Sequence, residues 1–292
     1  MGSRGFIGGE LVKKALARRF DVYELNREKY SENSPIINIK KLDIEKSVEN
    51  LEPHYVIDCI GIKSYYYKKS QLRNSDLNAT LASYIELIET IKNNNSRMIF
   101  ISSGGAIYKQ NQKLEAQSNN LSEELSAYGL VNLALENLIL ERGDNIVIRG
   151  SNVFGSHRLN NERQGLITEA FFAALEERPI KIDSLLTTRD YIHIDDFVEI
   201  VLRLIDKGVS NEVINVGTGV GTQSREILRR INSLVAEKGC TLDFEFSDNK
   251  NLATSAVLDI SQLRLKIGDY KFLTISEGLK KNWNLIKIKN NL

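Results

Sequence analysis

Ser126-Ala-Tyr-Gly-Leu-Val-Asn-Leu-Ala-Leu-Glu-Asn-Leu-Ile-Leu140 is the stretch on which the reading of this chain turns. Leu130, Leu133, Ala134 and Leu138 recur at helical spacing with no proline between them, which predicts a helix. Tyr128 and Asn132 are four residues apart and stack on one face near its start. Outward from this helix, apolar runs alternate with amphipathic stretches. Asp21–Leu25, Pro35–Leu42, Tyr55–Cys59, Arg97–Ile101 and Asn145–Arg149 read as strands. Ile7–Arg19, Ser70–Asn93 and Leu121–Arg142 read as helices. Strands alternating with helices predict an α/β fold with a doubly wound parallel sheet.

The Tyr128-x-x-x-Asn132 helix resembles the active-site helix of the extended short-chain dehydrogenase/reductase family, and within it the NAD-dependent sugar-nucleotide epimerases and dehydratases of the UDP-glucose 4-epimerase kind. Their pattern there is Tyr-x-x-x-Lys. Tyr128 fills the tyrosine position and Asn132 stands where the lysine belongs. The resemblance extends over nearly the whole chain. Met1-Gly-Ser-Arg-Gly-Phe-Ile-Gly8 has the G-x-x-G-x-x-G spacing of the family's dinucleotide loop, with Gly2, Gly5 and Gly8 as the glycines and Phe6 and Ile7 between them. Such a loop needs a tight turn, a close backbone approach to the pyrophosphate, and close helix–strand packing. It should follow a hydrophobic strand, and only Met1 precedes it. We therefore expect the first strand of the sheet to be missing, through a shortened chain or a misplaced start codon.

Further matches imply more of the cofactor site. Asn26 sits at the tip of the second strand, where an acidic residue would accept hydrogen bonds from the ribose of NAD. Asn26 is neutral and Arg27 is basic, which leans towards the 2′-phosphate of NADP; Arg27 is equally readable as a solvated side chain. Asp43-Ile44 matches the pair beside the adenine, and Asp43 also reads as a helix N-cap. Asn78 matches a recurrent asparagine of the following helix. Arg149-Gly-Ser-Asn-Val-Phe-Gly155 and Thr188-Arg-Asp-Tyr-Ile-His-Ile-Asp-Asp196 match two further family segments. They imply Asn152 on the nucleotide sugar and Arg189 on its diphosphate, for which the planar guanidinium is suited. His193 reads as a structural histidine, and Asp195 as the cap of a helix Asp196–Asp206.

Three positions depart from the family. Asn132 replaces the lysine. Gly104 stands four residues before Tyr108, where the catalytic serine or threonine is expected; Ser103 is the nearest hydroxyl, readable as catalytic or as ordinary turn chemistry. Asn249 occupies the place of an arginine for the second phosphate. Gly105 and Ala106 hold the positions of the dehydratases' Asp-Glu pair, so no acid–base pair exists at that spacing and 4,6-dehydration is set aside.

The resemblance implies a Rossmann domain over residues 1–150 with returns near 190–216, and a smaller substrate domain over most of 151–292. It implies NAD or NADP as cofactor, a nucleotide-sugar substrate, and a homodimer built on the helices Ser70–Asn93 and Leu121–Arg142. It implies Tyr128 as acid/base, aided by Ser103 and Asn132. A free tyrosine has a pKa of about 10, so action as a base at neutral pH needs a shift of about 3 units, or about 4 kcal/mol. Asn132 can hydrogen-bond a ribose but carries no charge to supply that shift. Two readings follow: an epimerase-like oxidoreductase, or a degenerate member that binds dinucleotide or nucleotide sugar without turnover.

Composition adds bounds. The 292 residues are 42% hydrophobic and 26% charged with net charge +1, so nothing argues for a nucleic-acid or anionic-membrane partner. Cys59 and Cys240 are far apart and imply no disulfide framework. No run of about 18 apolar residues and no signal peptide appears, which makes the cytoplasm the expected compartment. No Cys/His spacing suggests a metal site.

Overall fold

The computed structural model of the chain describes residues 1–25, 37–38, 44–60, 74–108, 113–114, 121–122, 125–155, 165–247 and 254–290. Helix α1 (Phe6–Ala17) leads to strand β1 (Tyr23–Glu24), which pairs in parallel with β2 (Ile37–Asn38). Then follow α2 (Ile44–Leu51), β3 (Tyr55–Asp58), the long α3 (Asn74–Asn93), β4 (Arg97–Ser103), the one-turn α4 (Gly104–Ile107) and β5 (Lys113–Leu114). Helix α5 (Ala127–Glu141) carries Tyr128 and precedes β6 (Ile146–Gly150) and β7 (Asn152–Phe154). The later part contains α6 (Leu166–Leu175), β8 (Ile180–Ile182), β9 (Thr188–His193), α7 (Ile194–Asp206), β10 (Glu212–Val216), β11 (Gly221–Gln223) and α8 (Ser224–Val235). It closes with β12 (Phe244–Phe246), β13 (Ser255–Leu258), α9 (Ser261–Ile267) and α10 (Ile275–Asn290).

Strands β10, β6, β4 and β3 form a parallel sheet in that order. Ser103 is level with Gly150, and Gly150 with Val216, so three carboxyl ends finish together. All five residues of β6 are buried, as expected of a strand covered on both faces. Alternation sorts its side chains: Val147 joins the core under α3 and α5, with Met98, Phe100, Leu135 and Ile139. Ile146 and Ile148 face the opposite core, with Leu11 of α1 and Phe197 and Val201 of α7. Helices on both faces make the sheet doubly wound. A further core gathers α6, α8 and α10, where Trp283 stacks on Phe171 with ring centroids 5.6 Å apart.

Met1 and Gly2 lie against the ends of two strands. The Met1 amine donates to the Ile57 carbonyl at 2.7 Å, the Cys59 N–H to the Met1 carbonyl at 3.1 Å, and the Gly2 N–H to the Leu25 carbonyl at 3.3 Å. Beyond the main sheet, β11-β9-β13-β5 form a second one, with β7 also paired to β9 in parallel.

Some boundaries differ from expectation. The helix expected over Leu121–Arg142 begins only at Ala127, because Ser126 ends the preceding extended segment and its Oγ accepts from the Gly129 N–H at 3.2 Å. Helix α7 starts at Ile194, not Asp196. Its cap is His193, whose Nδ1 accepts from the Asp195 N–H at 3.2 Å, so Asp195 lies in the first turn and is not the cap. Of the strand expected over Pro35–Leu42 only β2 falls within the described residues. Among the described residues no helix is long and apolar enough to cross a membrane.

Candidate active site at the carboxyl ends of the parallel strands

The glycine loop is built so that nothing larger fits. Gly2 has φ +72°, in the left-handed region, and a Cβ there would lie 2.8 Å from the Cys59 carbonyl. A Cβ on Gly5 would lie 2.9 Å from the Gly2 carbonyl oxygen, and one on Gly8 would collide with that same atom. The Gly5 N–H closes the turn onto the Gly2 carbonyl at 2.8 Å. Helix α1 then starts at Phe6 with Gly5 as a cap that offers no side chain, and its first turn holds no acidic residue. Its first N–H groups and the positive end of its dipole are thus left for an anion. The turn after β3 forms the far wall. It is pinned by buried Asp58, which accepts from the Ile60 N–H at 2.9 Å and from the Tyr84 hydroxyl. Burial pushes the Cys59 thiol up to about 12, so it serves as an apolar wall and not as a nucleophile.

Ser103 ends β4 and precedes α4; Tyr128 lies in the first turn of α5. The two helices touch through backbone: a Cβ on Gly129 would lie 2.5 Å from the Ala106 carbonyl oxygen. Of the two adjacent serines, Ser102 donates to Glu136, whereas the Ser103 hydroxyl has no partner among the described residues. Gly104 is buried, and a Cβ on it would lie 2.7 Å from Cδ2 of Leu258, reaching across from β13. Asn132 is only 2% exposed, and its Nδ2 donates to the Tyr128 carbonyl at 2.8 Å, one turn back in its own helix. Its amide is thus turned onto the backbone of α5.

Behind these residues lies a polar chain that the sequence reading passed over. Glu136, one turn beyond Asn132, is bound by the fork of Arg149: Nε reaches Oε2 at 3.0 Å and Nη2 reaches it at 2.6 Å. The side chains are 1% and 6% exposed. Nη1 of Arg149 donates to the Tyr108 hydroxyl at 2.8 Å, which donates to Asn215 Oδ1 at 2.8 Å; Asn215 in turn donates to the Asp259 carbonyl at 3.1 Å. Burial opposes the charge of Arg149, but its bonds to Glu136 raise its pKa above the ordinary value. The one signal in the sequence was a carboxylate set among the apolar positions of α5.

Arg189 stands on β9, half-buried, with neutral partners among the described residues: the Thr188 and Thr254 carbonyls at 2.9 and 3.0 Å and the Thr254 hydroxyl at 2.7 Å. Burial lowers its pKa. On the opposite side of β9, fully buried Asp190 holds the turn after β10, accepting from the Thr218 and Gly219 N–H groups, each at 3.0 Å. Asn152 is exposed just beyond β6, level with Tyr191, and donates to the Asp190 carbonyl at 3.2 Å. His193 is buried against the edge of Phe154, and burial lowers its pKa, which keeps the imidazole neutral in its role as a cap.

The carboxyl edge of the parallel sheet therefore carries the Gly2–Gly8 cradle, Ser103 and Asn152; Tyr128 lies on the helix whose Gly129 meets α4, and Arg189 lies on β9 of the neighbouring sheet. Phe6 and Ile7 lie in the first turn of α1 and pack against the main core. Asn78 is exposed on α3, away from that packing. Asn26, Arg27, Asp43 and Asn249 lie outside the described residues; Ile44 opens α2, and its side chain lies outside them too.

This arrangement, a doubly wound parallel sheet with a glycine cradle at its carboxyl edge, is that of a dinucleotide-binding fold. A profile of the NAD dependent epimerase/dehydratase family matches residues 1–217, and the chain belongs to that family. It is 25% identical over 307 residues to a putative UDP-glucose 4-epimerase of Methanocaldococcus jannaschii, covering 99% of this chain and 97% of that protein. In fold it is similar to the UDP-glucose 4-epimerase of Thermotoga maritima solved with UDP-glucose, at TM-score 0.82 and 22% identity over 99% of this chain and 98% of the other. It is also similar to the Thermus thermophilus UDP-glucose 4-epimerase complexed with NAD, at TM-score 0.76 and 21% identity over 97% and 96% of the two chains.

Proposed function

We propose that this chain is an NAD-dependent oxidoreductase acting on a nucleotide sugar, of the 4-epimerase kind. The observation that carries the reading is the glycine cradle: Gly2, Gly5 and Gly8 leave room only for backbone, ahead of an uncapped helix start. Those residues would hold the pyrophosphate of the cofactor. NAD rather than NADP is favoured by membership of an NAD-dependent family and by likeness to an epimerase solved with NAD. Bound there, NAD would supply hydride transfer to and from the sugar carbon. Tyr128 removes the proton from the sugar hydroxyl and later returns it. Ser103 donates a hydrogen bond to the same oxygen, its hydroxyl having no protein partner among the described residues. Arg189 binds the diphosphate and Asn152 the sugar-nucleotide moiety. The helices α3 and α5 supply the contact with a second copy of the chain.

A second reading has its own observation. The uncharged Asn132 amide bonds its own helix, and Leu258 fills the space at Gly104, so both departures weaken proton transfer. A binding protein without turnover would look the same. Calorimetric titration with NAD and with UDP-glucose, followed by assay of UDP-glucose and UDP-N-acetylglucosamine epimerisation by wild type and Tyr128→Phe, separates the two. Binding with turnover that Tyr128→Phe abolishes supports the enzyme. Binding without turnover supports the second reading; absence of NAD binding defeats the enzyme, and absence of both NAD and UDP-glucose binding defeats both readings.

A further inference from the structure

The buried chain behind the site has no direct part in the reaction proposed above, yet it ties β4, which ends in Ser103, to α5, which carries Tyr128. Ser102, the neighbour of Ser103, donates to Glu136, and Glu136 lies eight residues beyond Tyr128 on the same helix. Eight residues are about 12 Å of rigid α-helix, with 128, 132 and 136 following one another up one face. The Ser102–Glu136 contact therefore fixes how β4 sits along α5. Arg149 holds Glu136 in place through two N–H groups and bonds Tyr108, which follows α4, through a third. The guanidinium also lies 4.9 Å from the centre of the Tyr108 ring. From Tyr108 the chain passes through Asn215 to the Asp259 carbonyl. The residue before Asp259 is Leu258, which packs on Gly104, next to Ser103.

We infer that Arg149 is a positioning residue: by forking onto Glu136 and bonding Tyr108 it fixes the separation between Ser103 on β4 and Tyr128 on α5. The inference rests on the proton-handling roles proposed for those two side chains. Stability alone is a poor reason for such a pair, because well-packed apolar replacements of a buried ion pair are often neutral or stabilising. Geometry is a better one, since a planar fork with three directed donors in use cannot be copied by a lysine.

The test uses the full chain and two variants, the double substitution Glu136→Leu/Arg149→Met and the single Arg149→Lys. Melting temperature, UDP-glucose epimerisation with NAD present, and amide hydrogen exchange over residues 103–106 are measured. The double variant should keep its melting temperature while kcat falls about 10- to 100-fold, the scale of a misplacement of about 1 Å, with KM nearly unchanged. Arg149→Lys should lose kcat as well, although it keeps the charge. In both, amides 103–106 should exchange faster. A double variant with wild-type kcat, or with unchanged exchange over 103–106, overturns the inference. If wild type turns over no sugar nucleotide, it is the proposed function that fails, and the exchange result alone decides on Arg149. If the double variant does not fold, the same comparison is made on Arg149→Lys.

Discussion

Two arginines of this chain are taken out of water in opposite ways. Arg149, its side chain 6% exposed, meets a carboxylate through a fork and lies over an aromatic ring. Arg189 meets only carbonyls and one hydroxyl among the described residues, and burial works against its charge. Neutral oxygens orient a guanidinium but do not neutralise it. The first cation is therefore part of the framework, and the second keeps a charge that its protein partners do not neutralise, as its proposed diphosphate role requires. The difference shows that burial alone does not describe a charge; the formal charge of the partners must be read with it.

The largest expected effect breaks the first arginine. Arg149→Met leaves Glu136 buried without its partner and should cost about 3–5 kcal/mol of stability, read by chemical denaturation. A loss below about 1 kcal/mol would mean that water or another donor reaches Glu136, and the contrast with Arg189 would collapse. Arg189→Ala comes next. It should weaken UDP binding by about 1.5–3 kcal/mol while stability falls by only about 1 kcal/mol, since neutral hydrogen bonds alone are lost from the protein. Equal UDP affinity in the variant would remove Arg189 from the site. The smallest effect tests whether a new cation on α5 is claimed by Glu136 or left free. With Arg149 already on Glu136, Asn132→Lys should place its charge at the Tyr128 end. Each unit by which a tyrosine pKa falls is worth about 1.4 kcal/mol, so turnover at pH 7 should rise up to about tenfold. The rising limb of the pH–rate profile should move to lower pH. Slower turnover would show that the introduced ammonium competes for Glu136, or that Asn132 belongs to a differently arranged site.

Much of this was legible in the sequence because periodicity records burial. The apolar runs of β4 and β6 and the spacing in α5 pointed to the α/β class, and Gly2, Gly5 and Gly8 are glycines for a steric reason that leaves a trace in composition. Helix ends were less legible. His193 was read as structural, but its work as the cap of α7 was not foreseen, since imidazole is a rare cap and Asp195 a conventional one. Least legible were contacts between residues far apart in the chain. Glu136 with Arg149, Arg189 with Thr254, and Gly104 with Leu258 each join elements that only the tertiary fold brings together, and local pattern carries no information about them.

The Gly104–Leu258 contact also sets what position 104 can hold. A side chain introduced there would meet a leucine methyl at 2.7 Å. Shortening Leu258 alone would open a cavity, at a cost of about 2–5 kcal/mol. A side chain at 104 therefore requires the Leu258 side chain to turn aside, so a residue on β13 of the other sheet decides what can stand next to Ser103.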